Sequence, residues 1–292
     1  MQITPTGKSL GASIDGIDLS EPPSPQAFKQ ILRALGDHGV LCFPRQRIET
    51  AAFSRFGRMF GDLEINVAQT PTEPGFPEVM ILSNMVRDGR PVGLGDAGQG
   101  WHTDMSYATD IALANVLHAI EVPVRDGRAL GDTQFRNMHA AYDDLPADMK
   151  RRLAGRSATH DFAKFWDMMR QRPGSTRGPL TPAQRALKPP VSQPILRTHP
   201  ITGRTILYCN PGYAMRIEGL PEAESTELLE FLFAHQALPK YQYAHSWSQG
   251  DVLMWDNIGT VHNAVADYRA DEPRYIRRVQ VMATKNYAAL VA

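Results

Sequence analysis

The chain has 292 residues, 31 Lys+Arg against 31 Asp+Glu, and a formal net charge of zero. Its composition, 42% hydrophobic and 21% charged, excludes disordered and collagen-like chains, and the balanced charge argues against a nucleic-acid binder. No apolar run approaches the roughly 18 residues of a membrane span, and the start Met1-Gln2-Ile3-Thr4-Pro5 lacks the basic and apolar regions of a secretory leader.

Leu10 to Pro22 carries Gly11, Gly16 and alternating apolar residues, which predicts a short strand with turns. Ser24-Pro25 then opens a helix, with Ser24 as N-cap and Phe28, Ile31, Leu32 and Leu35 at helical spacing up to His38-Gly39. Val40-Leu41-Cys42-Phe43 reads as a buried strand, and Thr50 to Phe60 as a second helix. Residues 66–100 are Gly- and Pro-rich loops around one strand, Val79-Met80-Ile81-Leu82.

Strands are expected at 101–107 and 111–120, a helix over 138–154, and irregular chain over 168–190. In the last third, Pro194–His199 and Arg204–Cys209 read as strands around a turn. Glu222 to Ala237 reads as a helix with Leu228, Leu229, Leu232 and Phe233 on one face. Tyr241 to Trp247, Asp251–Trp255 and Tyr275–Ala283 have strand character. Many short strands plus a few helices predict a β-sandwich or barrel with helical cover. No repeat or linker divides the chain, so one domain over 1–292 is expected.

The two cysteines, Cys42 and Cys209, form no Cys-x-x-Cys pair. A disulfide scaffold and a zinc ribbon are excluded, and buried thiols in a reducing cytoplasm are expected. Nine histidines remain as candidates for chemistry. In Trp101-His102-Thr103-Asp104, strand periodicity puts His102 and Asp104 on one face. Two His and one carboxylate make the facial triad of non-haem Fe(II) oxygenases. A His-x-Asp pair alone is uninformative, because about one is expected by chance in this composition. His262, beside the apolar strand Val261–Val265, is a candidate second imidazole, against the plain alternative of a satisfied core histidine.

Arg274 and Arg278 share strand parity, about 13 Å apart at Cα, and both face inward; Arg277 has the opposite parity and faces solvent. An inward arginine needs an anionic partner, and a carboxylate is what a guanidinium binds best.

Together these residues resemble the taurine dioxygenase family of Fe(II)/2-oxoglutarate-dependent oxygenases. The resemblance runs from Gly16-Ile17-Asp18-Leu19-Ser20 and Phe60-Gly61-Asp62-Leu63 through Trp101-His102-Thr103-Asp104, Gly131-Asp132-Thr133 and His160-Asp161-Phe162. It continues with Arg197-Thr198-His199-Pro200-Ile201-Thr202-Gly203, Trp255-Asp256-Asn257 and His262 to Tyr268. It implies an α+β, mainly β fold: a double-stranded β-helix, or jelly roll, with flanking helices. It also implies Fe(II) held by His102, Asp104 and His262, and 2-oxoglutarate as cosubstrate with its distal carboxylate on Thr133 and Arg274. Arg278 then matches the arginine that contacts the substrate anion, and Trp255 packs beside the site. The partners implied are O2 and a small anionic organic substrate, with succinate and CO2 released. Assembly of identical copies is expected.

The chain departs from the taurine enzymes around the substrate. Asn66 stands where they have a sulfonate-binding His and Gly98 where they have an Asn. Phe165 and Trp166 replace a Ser and a Phe, and Tyr213 is a further aromatic wall position. The segment Val124–Leu130 is longer, and so is the His262-to-Arg274 spacing. Residues 168–217 hold eight Lys/Arg and no acid, a charge that would steer anions inward. These changes favour a carboxylate or sulfonate other than taurine. Hydroxylation and oxidative cleavage stay open. The rival readings are a zinc hydrolase using the same three ligands and a non-catalytic jelly-roll binding protein.

Overall fold

The computed structural model describes residues 1–65, 70–172, 175 and 177–291. Helix α1 (Pro25–His38) begins where the sequence places it. The Ser24 hydroxyl accepts from the Ala27 N–H at 3.2 Å, a cap of about 1 kcal/mol, and Gly39 ends the helix at φ 67°. Helix α2 (Thr50–Arg58) buries Ala52, Phe53 and Phe56.

An eight-stranded sheet carries the fold. Its strands are β1 (Gln2–Pro5), β2 (Ala12–Asp15), β3 (Val40–Phe43), β4 (Thr72–Glu73), β5 (Phe76–Ser83) and β6 (Ala112–Glu121). Two later strands complete it, β12 (Val252–Asp256) and β14 (Tyr275–Met282), in the order β1-β2-β3-β12-β6-β14-β5-β4. Only β2 and β3 pair in parallel. A three-stranded sheet, β11-β7-β13, is made by β7 (Thr133–Asn137), β11 (Gln242–His245) and β13 (Thr260–Ala264).

Strand β12 shows how one run serves two layers. Leu253 and Trp255 join Leu82, Leu117, Ile276 and, from the smaller sheet, Phe135 in one apolar cluster. Val252 and Met254 point the other way, into the cluster that holds Phe53 and Phe56 of α2. This is the period-2 alternation of a strand covered on both faces. A third sheet, β9-β8-β10, is formed by β8 (Ser157–His160), β9 (Val191–Pro194) and β10 (Ala214–Ile217). Helix α7 (Glu222–Gln236) packs Leu228, Leu229 and Leu232 inward, and Cys42 and Cys209 are free.

Four expectations need correction. Residues 101–107 are not a strand: a single bridge at His102 is followed by a turn, with Met105 left-handed at φ 59°. The helix expected at 138–154 is two, α3 (Met138–Asp143) and α4 (Ala147–Leu153), interrupted before Pro146, as a proline disfavours helical backbone in the residue preceding it. The segment read as irregular holds the end of α5 (Phe162–Arg170) and all of α6 (Pro182–Leu187). Thr181 and Gln184 form a reciprocal capping box there. Arg277 has the expected parity but does not face solvent, because edge strand β4 covers it and Glu73 accepts from its Nε at 2.8 Å. Chain-terminal α8 (Tyr287–Val291) packs on α1. No helix among the described residues is long and apolar enough to cross a membrane.

Candidate active site

His102 and His262 are cross-strand partners. Each amide N–H donates to the other's carbonyl, at 3.0 and 2.8 Å, so the backbone itself brings the two rings to 4.2 Å between centroids. The turn after His102 then carries Asp104 back over the same point. His102 Nε2 lies 3.5 Å from Asp104 Oδ1, and His262 Nε2 lies 3.5 Å from Asp104 Oδ2. One donor atom from each residue falls within 4.8 Å of the others, and all three residues are almost wholly buried or nearly so.

The protonation pattern suits a cation. His102 Nδ1–H donates to the Gly100 carbonyl at 2.6 Å, which leaves Nε2 as the ring nitrogen that faces Asp104. Burial, with His102 alongside, pushes His262 well below the ordinary imidazole value, so it is neutral. Burial opposes charge on Asp104, but Arg278 and the two imidazoles outweigh it and hold the carboxyl far below its usual range. Two imidazoles and one carboxylate in a buried cleft fit a divalent metal with open positions.

The arginines are placed unequally. Arg278 Nη2 donates to Asp104 Oδ2 at 2.9 Å and its Nε to Asn115 Oδ1 at 3.0 Å. Arg274 is 7% exposed, and among the described residues no carboxylate pairs with it. Its guanidinium lies near the Tyr268 ring and against Gly131, and burial lowers its pKa. An unpaired internal cation is costly, so this position fits an absent anion. Thr133, two residues beyond Gly131, is buried, and its hydroxyl accepts from Trp247 Nε1 at 3.1 Å.

Phe165 and Tyr213 stand at the triad, 4.7 and 6.2 Å from the His102 ring, and Tyr107 packs on Tyr213 at 4.8 Å. Trp255 lies 4.8 Å from His262. Trp166, one position around α5 from Phe165, instead packs on Phe162 and Arg177 and donates to the Gly178 carbonyl. Asn66 lies outside the described residues. The basic run at 168–217 is partly neutralised from elsewhere: Arg177 grips Asp96 at 2.7 and 2.8 Å, Arg204 pairs with Asp143, and Arg170 and Arg185 with Asp167. Sequence reading missed Trp247, Asn115 and Gly212. A Cβ on Gly212 would fall 2.8 Å from the His102 Cβ.

Two other clusters have metal-like spacing. At His139/His199/Asp256, the Thr202 N–H donates to His199 Nδ1 and His199 Nε2 lies 2.9 Å from Asp256 Oδ2, while neither His139 nitrogen has a hydrogen-bond partner among the described residues. At Cys42/His245/Asp251, burial and Asp251 push the thiol far up, away from a ligating thiolate.

The fold and this site define a dioxygenase of known type. The family model for taurine catabolism dioxygenase TauD, TfdA matches residues 2–280, and the chain belongs to that family. It is 35% identical to an alpha-ketoglutarate-dependent 2,4-dichlorophenoxyacetate dioxygenase of Burkholderia sp. (strain RASC), over 93% of this chain and 91% of that one. It is 32% identical to pentalenolactone F synthase of Streptomyces arenae, over 96% and 94%. The crystal structure of AAD-2 in complex with Mn(II) and N-oxalylglycine superposes with a TM-score of 0.79 at 26% identity, covering 97% of this chain and 98% of that one. A metal and 2-oxoglutarate accordingly belong to the enzyme's chemistry.

Proposed function

We propose that the protein is an Fe(II)- and 2-oxoglutarate-dependent dioxygenase that oxidises a small organic anion, a carboxylate or sulfonate other than taurine. The convergence of His102, Asp104 and His262 on one buried point carries the reading. A single domain with a double-stranded β-helix core, working as a homo-oligomer in the cytoplasm, completes it.

His102, Asp104 and His262 hold the metal. Arg274 and Thr133 hold the distal carboxylate of 2-oxoglutarate, which satisfies the buried guanidinium. The chemistry supplied by bound Fe(II), 2-oxoglutarate and O2 is oxidative decarboxylation to succinate and CO2 coupled to oxidation of a substrate C–H bond. Phe165 and Tyr213 exclude water beside His102 and present an apolar, aromatic wall. Arg278 keeps Asp104 ionised and offers the substrate anion a cation on the same side. Asn66 and Trp166 complete the set of proposed substrate-binding residues.

The test is substrate-dependent succinate release across taurine and a panel of aryl and alkyl carboxylates, sulfonates and sulfates. Anaerobic Fe(II) with 2-oxoglutarate is expected to give a visible charge-transfer band that His262→Ala abolishes. Stoichiometric iron and full turnover in His262→Ala overturn the ligand assignment, and efficient taurine turnover overturns the substrate class.

A further inference from the structure

Asp104 sits where the backbone ladder has ended. The His102–His262 bridge is the last strand-like pairing, and the chain turns at once through left-handed Met105. Regular structure therefore does not fix the Asp104 peptide. A side chain does so. Asn257 Oδ1 accepts from the Asp104 N–H at 3.1 Å, and Asn257 Nδ2 donates to the Asp104 carbonyl at 2.9 Å. One carboxamide thus supplies both bonds that a neighbouring strand would have made.

The carboxamide is itself immobilised. Asn257 is wholly buried, its backbone N–H donates to the Leu113 carbonyl, and Nδ2 also donates to the Ala112 carbonyl at 3.1 Å. Its Oδ1 accepts a second bond, from Asn115 Nδ2 at 3.3 Å. Asn115 is equally buried, and its Oδ1 accepts from Arg278 Nε at 3.0 Å and Gln280 Nε2 at 3.1 Å. Arg278 then closes the circuit on Asp104 Oδ2 at 2.9 Å. The path runs from the Asp104 backbone through Asn257, Asn115 and Arg278 to the Asp104 carboxylate.

We infer that Asn257 and Asn115 are positioning residues that set the direction of the Asp104 carboxylate, Asn257 through the main chain and Asn115 through Arg278. Resting on the reading of Asp104 as a metal ligand, the circuit holds Oδ2 and turns Oδ1 toward His102. Fully satisfied buried networks of this kind specify one geometry, and loosening one member frees the rest. Partners that orient ligating groups typically change metal affinity by about 10–100-fold when removed.

The experiment is Mn(II) binding to the full chain, followed by electron paramagnetic resonance without turnover. Wild type is expected to bind one Mn(II), and Asp104→Ala none. Asn257→Ala is expected to weaken binding by ~10–100-fold and Asn115→Ala by ~3–10-fold. Leu232→Ala, in the distant α7 core, serves as a control for general destabilisation and is expected to keep wild-type affinity. If wild type fails to bind Mn(II), the ligand assignment falls and the inference with it. If wild type binds but folded Asn257→Ala or Asn115→Ala stays within twofold of it, or Leu232→Ala weakens binding equally, the inference alone is overturned. Should Asn257→Ala not fold, Asn115→Ala against Leu232→Ala decides the matter.

Discussion

Arg278 and Asp104 form a contact of 2.9 Å between Nη2 and Oδ2 inside the site. The guanidinium that the family resemblance assigns to a substrate anion thus already pairs with the carboxylate proposed to hold the metal. Any anion that binds it joins an existing pair. Arg278→Ala is therefore expected to act twice, raising the substrate KM and lowering iron retention. Truncating one partner of such a buried pair costs on the order of 2–5 kcal/mol. Dialysis against a weak chelator followed by iron assay separates the two effects, since a purely substrate-binding arginine leaves iron retention unchanged.

The cosubstrate assignment is tested most cleanly at Gly131. Its φ is +79°, and a Cβ there would lie 3.2 Å from Arg274 Nε and 3.2 Å from the Tyr268 ring. Gly131→Ala adds one methyl group yet strains the backbone and pushes on the guanidinium. The expected result is a 2-oxoglutarate KM raised by about tenfold or more, with metal affinity retained. Arg274→Ala is expected to be more severe, at ~30-fold or above. Titration with N-oxalylglycine measures both, and unchanged binding in Arg274→Ala removes this residue from the cosubstrate site.

Acid sensitivity has a structural source away from the metal. Burial lowers His118, His139 and His160 to about 4 each, from an ordinary value near 6.5. The unfolded chain therefore binds more protons than the native one between these values. Stability from these rings is fully present above about pH 6.5 and is lost as the pH falls toward 4, by up to ~3 kcal/mol per ring. Denaturation midpoints at pH 7.5 and 5 are expected to lie closer together in His160→Leu than in wild type.

The sequence carries the candidate ligands but not the means of placing them. His102-x-Asp104 is legible as a motif, and the two residues do come together, but through a bridge and a turn rather than along a strand. His262 is legible from its neighbours in Trp255–Val265. Arg274 is buried as its spacing from Arg278 suggests, although it precedes β14, and the contact of Arg277 with Glu73 is not legible, because an edge strand two hundred residues earlier supplies it. Trp247 and Gly212 carry no local signal at all. Their roles exist only through tertiary approach to Thr133 and His102.

Gly212 offers the sharpest test of how closely the aromatic wall fits the metal site. A Cβ there would lie 2.8 Å from the His102 Cβ, 3.1 Å from the Trp101 carbonyl oxygen and 3.2 Å from Phe165 Cδ2. Two of these neighbours are the His102 Cβ and the backbone oxygen just before it, so neither can yield without moving His102 itself. Overpacking of this kind typically costs about 1–3 kcal/mol in stability. Displacement of a reacting group by even ~1 Å can cost about 100-fold in rate. Gly212→Ala is therefore expected to fold, with a lower melting temperature, and to lose turnover far beyond its loss of stability. Phe165→Leu removes ring area from the same wall without pressing on His102. It is expected to keep iron and 2-oxoglutarate binding while shifting preference from aryl toward smaller alkyl anions. Succinate release on matched aryl and alkyl carboxylates reads the difference. An unchanged substrate preference in Phe165→Leu takes Phe165 out of the substrate wall, and wild-type turnover in Gly212→Ala shows that the wall does not bear on His102.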